Sequence, residues 1–175
     1  MATCLYFNLQ VLPQDTKKKN FIGEAGYRKL FEVLDSTLKE QLKKKKLHEN
    51  SFPLPRTDYF LVPFTTKFED NFVYGRLRKF DQVDRISEFY TEEELYKVSP
   101  KNTGTSKQFH FNYCFDPRLH IIAIENVNGK LPKNTDVLEK FLLFIFEEIV
   151  HEQFPDYYLT CHALKETSEL RQVEK

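Results

Sequence analysis

Two histidines and a glutamate that lie close together in the sequence could support metal binding or acid–base chemistry. His110 and His120 flank an Asp116-Pro117 turn, and Glu125 follows. Imidazole is a common metal ligand that titrates near neutral pH. A hairpin that brought both rings together could therefore form a metal-dependent nuclease or hydrolase site. The alternative is that these side chains only stabilise cross-strand packing.

A strand with alternating aromatic and basic residues suggests a different chemistry. In residues 72–80, period-two spacing places five side chains on one face: Phe72, Tyr74, Arg76, Arg78 and Phe80. Aromatic rings can stack on bases while arginines pair with phosphates. Alternatively, the rings belong to the core and the arginines pair with acids such as Asp81 and Asp84.

Two further basic features accompany this strand. Lys107 precedes an aromatic alternation that resembles the start of an RNA-recognition strand, although the rest of that pattern, including its glycine at position 108, is absent. Lys43–Lys46 end a predicted helix, where their charge is explained by the helix dipole, although phosphate binding is the other interpretation. The predicted nucleic-acid-binding residues are Phe72, Tyr74, Arg76, Arg78, Lys79 and Lys107.

The sequence contains no complete catalytic or cofactor motif. Glycine-rich nucleotide loops, nucleophile elbows and zinc-protease motifs do not occur. Glu148-x-x-His151 is half of a di-iron motif that lacks its second half. We therefore predict no cofactor and no metal, and we favour a non-enzymatic function.

The composition indicates one folded domain with no overall preference for polyanions. The 175 residues include 26 basic and 26 acidic side chains, so nucleic-acid binding would need a local patch. Phenylalanine is abundant, at 17 residues, which predicts a core filled by rings. The three cysteines form no CxxC pair, and no stretch is apolar enough to span a membrane. These features predict a cytoplasmic protein without membrane contact.

Hydrophobic periodicity predicts an α+β fold. Long helices are expected near residues 26–46 and 138–150, with strands near 4–12, 58–64, 72–80, 109–115, 119–126 and 157–164. A capping box at Thr91-x-x-Glu94 predicts a short helix through Tyr96. The order predicts a ferredoxin-like split βαβ arrangement: a mostly antiparallel sheet with two long helices on one face and an inserted hairpin. Residues 1–166 form one domain and 167–175 a polar tail or linker.

One segment carries a family resemblance. Phe111–Asn126, FNYCFDPRLHIIAIEN, resembles the central hairpin of uncharacterised bacterial proteins associated with phage-defence (abortive-infection) loci. His120 and Glu125 match the histidine and glutamate of that hairpin. The resemblance implies a defence-associated recognition or regulatory module that partners an effector protein from the same operon. It implies no catalytic residues.

Three functions follow as expectations. The favoured one is a non-enzymatic recognition or regulatory module of a bacterial anti-phage defence or toxin–antitoxin-like system, which binds RNA, DNA or a partner protein. The second is a metal-dependent nuclease or hydrolase that uses His110, His120 and Glu125. The third is a structural dimerisation domain that forms a homodimer through the aromatic hairpin.

Overall fold

Two long helices form where apolar side chains recur every three or four residues. In the computed structural model, which describes residues 2–165, helix α1 spans Gly23–Lys43 and helix α2 spans Thr135–Gln153. The buried side chains of α1 are Tyr27, Leu30, Phe31, Leu34 and Leu38, and those of α2 are Leu138, Phe141, Leu142, Phe146, Ile149 and Val150. Each helix therefore has one apolar stripe to bury.

The strands are β1 (Ala2–Pro13), β2 (Phe52–Pro53), β3 (Tyr59–Glu69), β4 (Phe72–Asp81), β5 (Arg85–Ser87), β6 (Glu94–Lys97), β7 (Gln108–Asp116), β8 (Ile121–Val127) and β9 (Tyr157–Ala163). Seven of them form one sheet in the order β2-β3-β4-β7-β8-β1-β9. Every pairing in this sheet is antiparallel. The predicted α+β class and antiparallel sheet are confirmed.

Both helices cover the same face of the sheet. The Phe31 ring of α1 lies 4.7 Å from the Phe115 ring of β7 and 4.9 Å from the Phe146 ring of α2, measured between centroids. All three rings are essentially inaccessible to solvent. Removing one such ring typically costs about 3–5 kcal/mol, so this aromatic cluster is a main source of stability. The opposite face of the sheet, here called the outer face, lies away from the helices.

The ends of the helices differ from the predicted ones. Helix α1 stops at Lys43, Lys44 is its C-cap, and Lys45 has a left-handed backbone with φ 55°. The amide of Lys46 donates to the carbonyl of Gln41, which closes the helix end. Lys44–Lys46 therefore lie beyond the helix rather than in its last turn.

The predicted short helix at 91–96 is wrong. The structure has a turn there, followed by β6, which pairs with β5 in a separate two-stranded ribbon. Thr91 Oγ1 accepts a hydrogen bond from the amide of Glu93, and Glu92 has a left-handed φ of 59°. A left-handed residue cannot continue a right-handed helix, so the capping-box residues form a turn instead.

The predicted tail at 167–175 lies outside the described residues. Among residues 2–165, neither long helix is apolar enough over a sufficient length to cross a membrane. All three cysteines, Cys4, Cys114 and Cys161, are free.

Candidate nucleic-acid interface

The basic strand is β4, and its side chains alternate between the two faces of the sheet. Val73 and Leu77 are buried in the core beneath the helices. Tyr74, Arg76 and Arg78 lie on the outer face, next to the outward side chains of β7. The alternation predicted from sequence therefore separates the rings and arginines of this strand from the helix-covered core.

Phe64 brings the cationic side chains of the outer face together around one aromatic ring. It lies in β3 at a bulge, where the register with β4 shifts. The Arg78 guanidinium carbon is 3.6 Å from the Phe64 centroid, and that of Arg76 is 6.0 Å away. Cation–π contacts of this kind hold a guanidinium in place without neutralising its charge.

Arg78 has no counter-ion among residues 2–165. Its Nε is buried and has no hydrogen-bond partner among residues 2–165. No ion pair in the described part of the chain includes Arg76 or Arg78. Burial lowers the pKa of Arg78, and the charge of Arg76 lowers it further. A partly buried cation without a counter-charge is unfavourable, so this arrangement is suited to an external anion.

The predicted pairing of these arginines with Asp81 and Asp84 does not occur. The Asp81 carboxylate instead accepts hydrogen bonds from Thr105 Oγ1 (2.9 Å), the Ser106 amide (2.7 Å) and the Lys107 amide (3.0 Å), and also from Ser106 Oγ. Burial raises the pKa of Asp81, but these hydrogen bonds outweigh burial and lower it to about 2. Asp81 is therefore occupied in fixing the 105–107 segment.

A basic cleft with a volume of about 880 Å³ opens beside Phe64. Its apolar lining includes Val62, Phe64 and Phe80. Its cationic lining consists of Lys44, Lys45, Lys46, Arg78 and Lys101, against a single acidic residue, Glu49. Lys44–Lys46 therefore line this cleft just beyond the end of the helix.

The other predicted nucleic-acid-binding residues lie apart from this cleft. Lys79 is on the helix-covered face, where its Nζ lies 4.6 Å from the Tyr59 ring centroid and donates to the Lys130 carbonyl. Phe72 is half-buried at the start of β4, with its ring beneath Arg118 at 5.6 Å. Lys107 is exposed at the base of β7.

The structure does not bring His110, His120 and Glu125 together. His110 on β7 lies opposite Arg78 on β4, about 20 Å along β7 from the hairpin turn. His120 lies at the turn and stacks on Tyr27 at 4.7 Å. Glu125 accepts a hydrogen bond from Asn112 at 2.9 Å. No group of three metal-binding side chains occurs within residues 2–165, so the hairpin site predicted from sequence is not formed.

His110 contributes to the outer face in another way. Its ring lies edge-on to Phe64 at 6.2 Å, and its Nδ1 is buried without a hydrogen-bond partner among the described residues. Burial lowers the pKa of His110, and the charges of Arg78 and Arg76 lower it further. The ring is therefore neutral near pH 7, so it can accept or donate a hydrogen bond without adding charge.

Sequence reasoning did not single out Phe64 or Lys101, and it did not place Lys44–Lys46 beside β4. Phe64 sits in a continuous apolar run that is typical of a strand covered on both faces. The apolar pattern does not indicate the bulge that turns the Phe64 ring towards Arg78. The lysine run was visible, but its proximity to β4 depends on the path of the chain between them.

The fold and this site together define an α+β domain with a basic, aromatic-lined outer face. Residues 5–175 match the family described as "Domain of unknown function (DUF4747)". The chain therefore belongs to that family. No curated protein sequence and no solved structure matches it significantly.

Proposed function

We propose that this protein is a recognition module that binds single-stranded nucleic acid across its outer face and basic cleft. The observation that carries the proposal is Arg78, whose partly buried guanidinium rests on Phe64 with no ion-pair partner in the described chain. A phosphate oxygen would supply the missing charge and an acceptor for the terminal N–H groups of the Arg78 guanidinium. Lys44–Lys46 and Lys101 would continue this phosphate contact along the cleft.

Exposed aromatic rings on the outer face favour a single strand over a duplex. Tyr74 on β4, Tyr6 on β1 and Tyr158 on β9 are between 38% and 48% exposed. Unpaired bases can stack on such rings with little dependence on sequence, at about 1–3 kcal/mol per base. A duplex hides its base faces and would use only the cationic side chains.

The broader assignment is to a bacterial anti-phage defence or toxin–antitoxin-like system, acting in the cytoplasm. It is supported by the resemblance of the Phe111–Asn126 hairpin and by three free cysteines, which suit a reducing compartment. In such a system the module would pass recognition of nucleic acid to an effector protein from the same operon.

We also propose that the fold is ferredoxin-like at its centre. Strands β9, β1, β8 and β7 are neighbours in that order, and α1 and α2 follow β1 and β8 in the chain. This order supports a split βαβ core. The β3–β4 hairpin, inserted between α1 and β7, would extend the sheet and supply Phe64, Arg76 and Arg78.

The test is binding of labelled single-stranded RNA and DNA, measured by fluorescence anisotropy. The double variant Arg76→Ala with Arg78→Ala should raise the dissociation constant at least about tenfold, since hydrogen bonds to charged groups contribute about 1.5–3 kcal/mol each. The charge-matched control is Arg28→Ala with Lys140→Ala, both exposed on the helices. It should leave affinity within about twofold.

Two results would overturn the proposal. One is the absence of oligonucleotide binding by the wild-type protein at low salt, where phosphate contacts are strongest. The other is equal loss of affinity in the Arg76/Arg78 variant and the helix-side control, which would indicate a general charge effect rather than a site. Circular dichroism spectra should be the same for all three proteins.

A further inference from the structure

The β5–β6 ribbon presents a large apolar surface to solvent. Phe89 and Tyr90 at its tip are 85% and 87% exposed. Three further side chains along its strands are also exposed: Ile86, Leu95 and Tyr96. Isolated exposed apolar residues are ordinary, but five on one small ribbon are a concentration of the kind that marks a surface for binding another macromolecule.

The tip is held in a defined shape. Glu88 Oε2 accepts hydrogen bonds from the amides of Tyr90 (2.7 Å) and Thr91 (2.6 Å), and the Glu88 amide donates to the Glu93 carbonyl at 2.8 Å. The Phe89 and Tyr90 rings meet edge to face, 5.0 Å apart. The two rings are therefore positioned in solvent before any partner binds, which lowers the entropic cost of docking.

The charge of the ribbon is opposite to that of the basic cleft. Residues 84–97 contain five acidic and two basic side chains. The cleft lining contains five Lys or Arg and one Glu, around an apolar floor with Phe64 and Phe80. A pair of aromatic rings flanked by carboxylates therefore matches this cleft in both polarity and charge.

The base of the ribbon adjoins the cleft in the same chain. Val83 pairs with Gly104 below the ribbon, and Lys101, Thr103 and Thr105 of the returning segment line the cleft. The tip lies about 16 Å along the ribbon from this base. Phe89 and Tyr90 at the tip are exposed and do not line the cleft, so the tip is not docked in the cleft of its own chain. Around a two-fold axis next to the cleft, each copy could place its tip in the cleft of the other.

We propose that the β5–β6 ribbon of one copy docks in the basic cleft of a second copy, reciprocally, to form a homodimer. Insertion of Phe89 and Tyr90 from both copies would remove about 500–800 Å² of ring surface from water. With the cleft surface covered in turn, the buried area approaches the ~1,600 Å² of a standard interface. A docked ribbon would occupy the proposed phosphate-binding cleft, so self-association and nucleic-acid binding would compete. This competition rests on the proposed function.

Sedimentation velocity of the full chain over a range of concentrations tests the pairing without any nucleic acid. The wild-type protein should dimerise, and Phe89→Ser with Tyr90→Ser should raise the dimer dissociation constant at least about tenfold, as loss of central aromatic residues commonly does. Phe21→Ser with Leu119→Ser, which removes exposed apolar side chains elsewhere, should leave it unchanged. A wild-type monomer at all concentrations, or a dimer that survives the Phe89/Tyr90 change, overturns the proposal.

A mixing experiment separates docking from misfolding. Lys45→Glu with Lys46→Glu damages the cleft and keeps the ribbon, so it too should be monomeric. Mixed with the Phe89/Tyr90 variant, it should form a heterodimer, because one intact ribbon still meets one intact cleft. Two monomeric variants that remain monomeric when mixed would contradict reciprocal docking. Oligonucleotide binding by the Phe89/Tyr90 variant, which keeps its cleft, then reports on the proposed function separately.

Discussion

Asp81 shows how one side chain can determine the shape of the candidate site. Its carboxylate fixes the 105–107 segment, whose Thr105 lines the basic cleft. Its pKa of about 2 lies below the ordinary value of 3.8, so the ionised form is preferred in the folded state. A depressed pKa contributes stability that is fully present above about pH 4 and is lost as the pH falls towards 2.

Asp81→Asn is therefore expected to lower the free energy of unfolding at neutral pH by on the order of 1 kcal/mol, a modest figure because solvent screens this partly exposed group. The difference from wild type should shrink between pH 4 and pH 2, where the wild-type carboxylate becomes protonated. Urea unfolding followed by circular dichroism measures both the loss of stability and its change with pH. Asp58→Asn, an exposed carboxylate, is the control. A difference that does not change with pH would show that the Asp81 charge is unimportant.

At the scale of secondary-structure elements, the end of α1 combines strain with charge. Lys45 adopts φ 55°, a left-handed conformation in which a side chain is unfavourable and glycine is common. The same residue lines the basic cleft. A lysine in this backbone position is less stable than a glycine would be, but it places a positive charge at the cleft.

Lys45→Gly should separate these two contributions. We expect a gain of up to about 1 kcal/mol in the free energy of unfolding, because the left-handed strain is relieved, together with weaker oligonucleotide binding. Lys43→Gly changes the last helical residue and should instead lower the free energy of unfolding, by up to about 1 kcal/mol. Thermal unfolding and fluorescence anisotropy on both variants provide the comparison. A Lys45→Gly protein that is less stable than wild type would contradict this account of the helix end.

The chain has zero net charge, but its basic and acidic side chains are concentrated in different parts of the molecule. The cleft is basic, whereas the β5–β6 ribbon is acidic. A local patch of this kind can bind a polyanion even when the whole protein is neutral, but its affinity depends on counterion release. The salt dependence of oligonucleotide affinity is therefore a property of this patch. Substitution of individual lysines can test which of them contribute to it.

Lys45→Gln with Lys46→Gln should reduce the slope of log affinity against log salt by about 1–1.5, as expected when two contacts to single-stranded nucleic acid are lost. Lys17→Gln with Lys19→Gln removes the same charge from the loop after β1, at the opposite edge of the sheet. That control should leave the slope unchanged. Equal slopes for the two double variants would show that the cleft lysines do not contact phosphate.

Much of the fold follows from local patterns in the sequence. Apolar spacing predicted α1, α2 and the central strands, because helices and strands repeat with different periods and one face must be buried. The same logic predicted which side chains of β4 share a face, among them Arg76 and Arg78, and the structure places that face away from the helices. It could not predict the β5–β6 ribbon, where local hydrogen bonds at Glu88 override the capping-box pattern.

The sequence by itself determined the two long helices, the longer strands of the main sheet, the antiparallel hairpin and the shared face of Arg76 and Arg78, since each depends on neighbours within a few residues. Only the tertiary structure decided what those arginines meet. It separated His110 from His120, and it hydrogen-bonded Asp81 to the 105–107 segment. It also placed Lys44–Lys46 beside Phe64. These outcomes depend on strand register and on the path of loops between distant residues, which local periodicity does not specify.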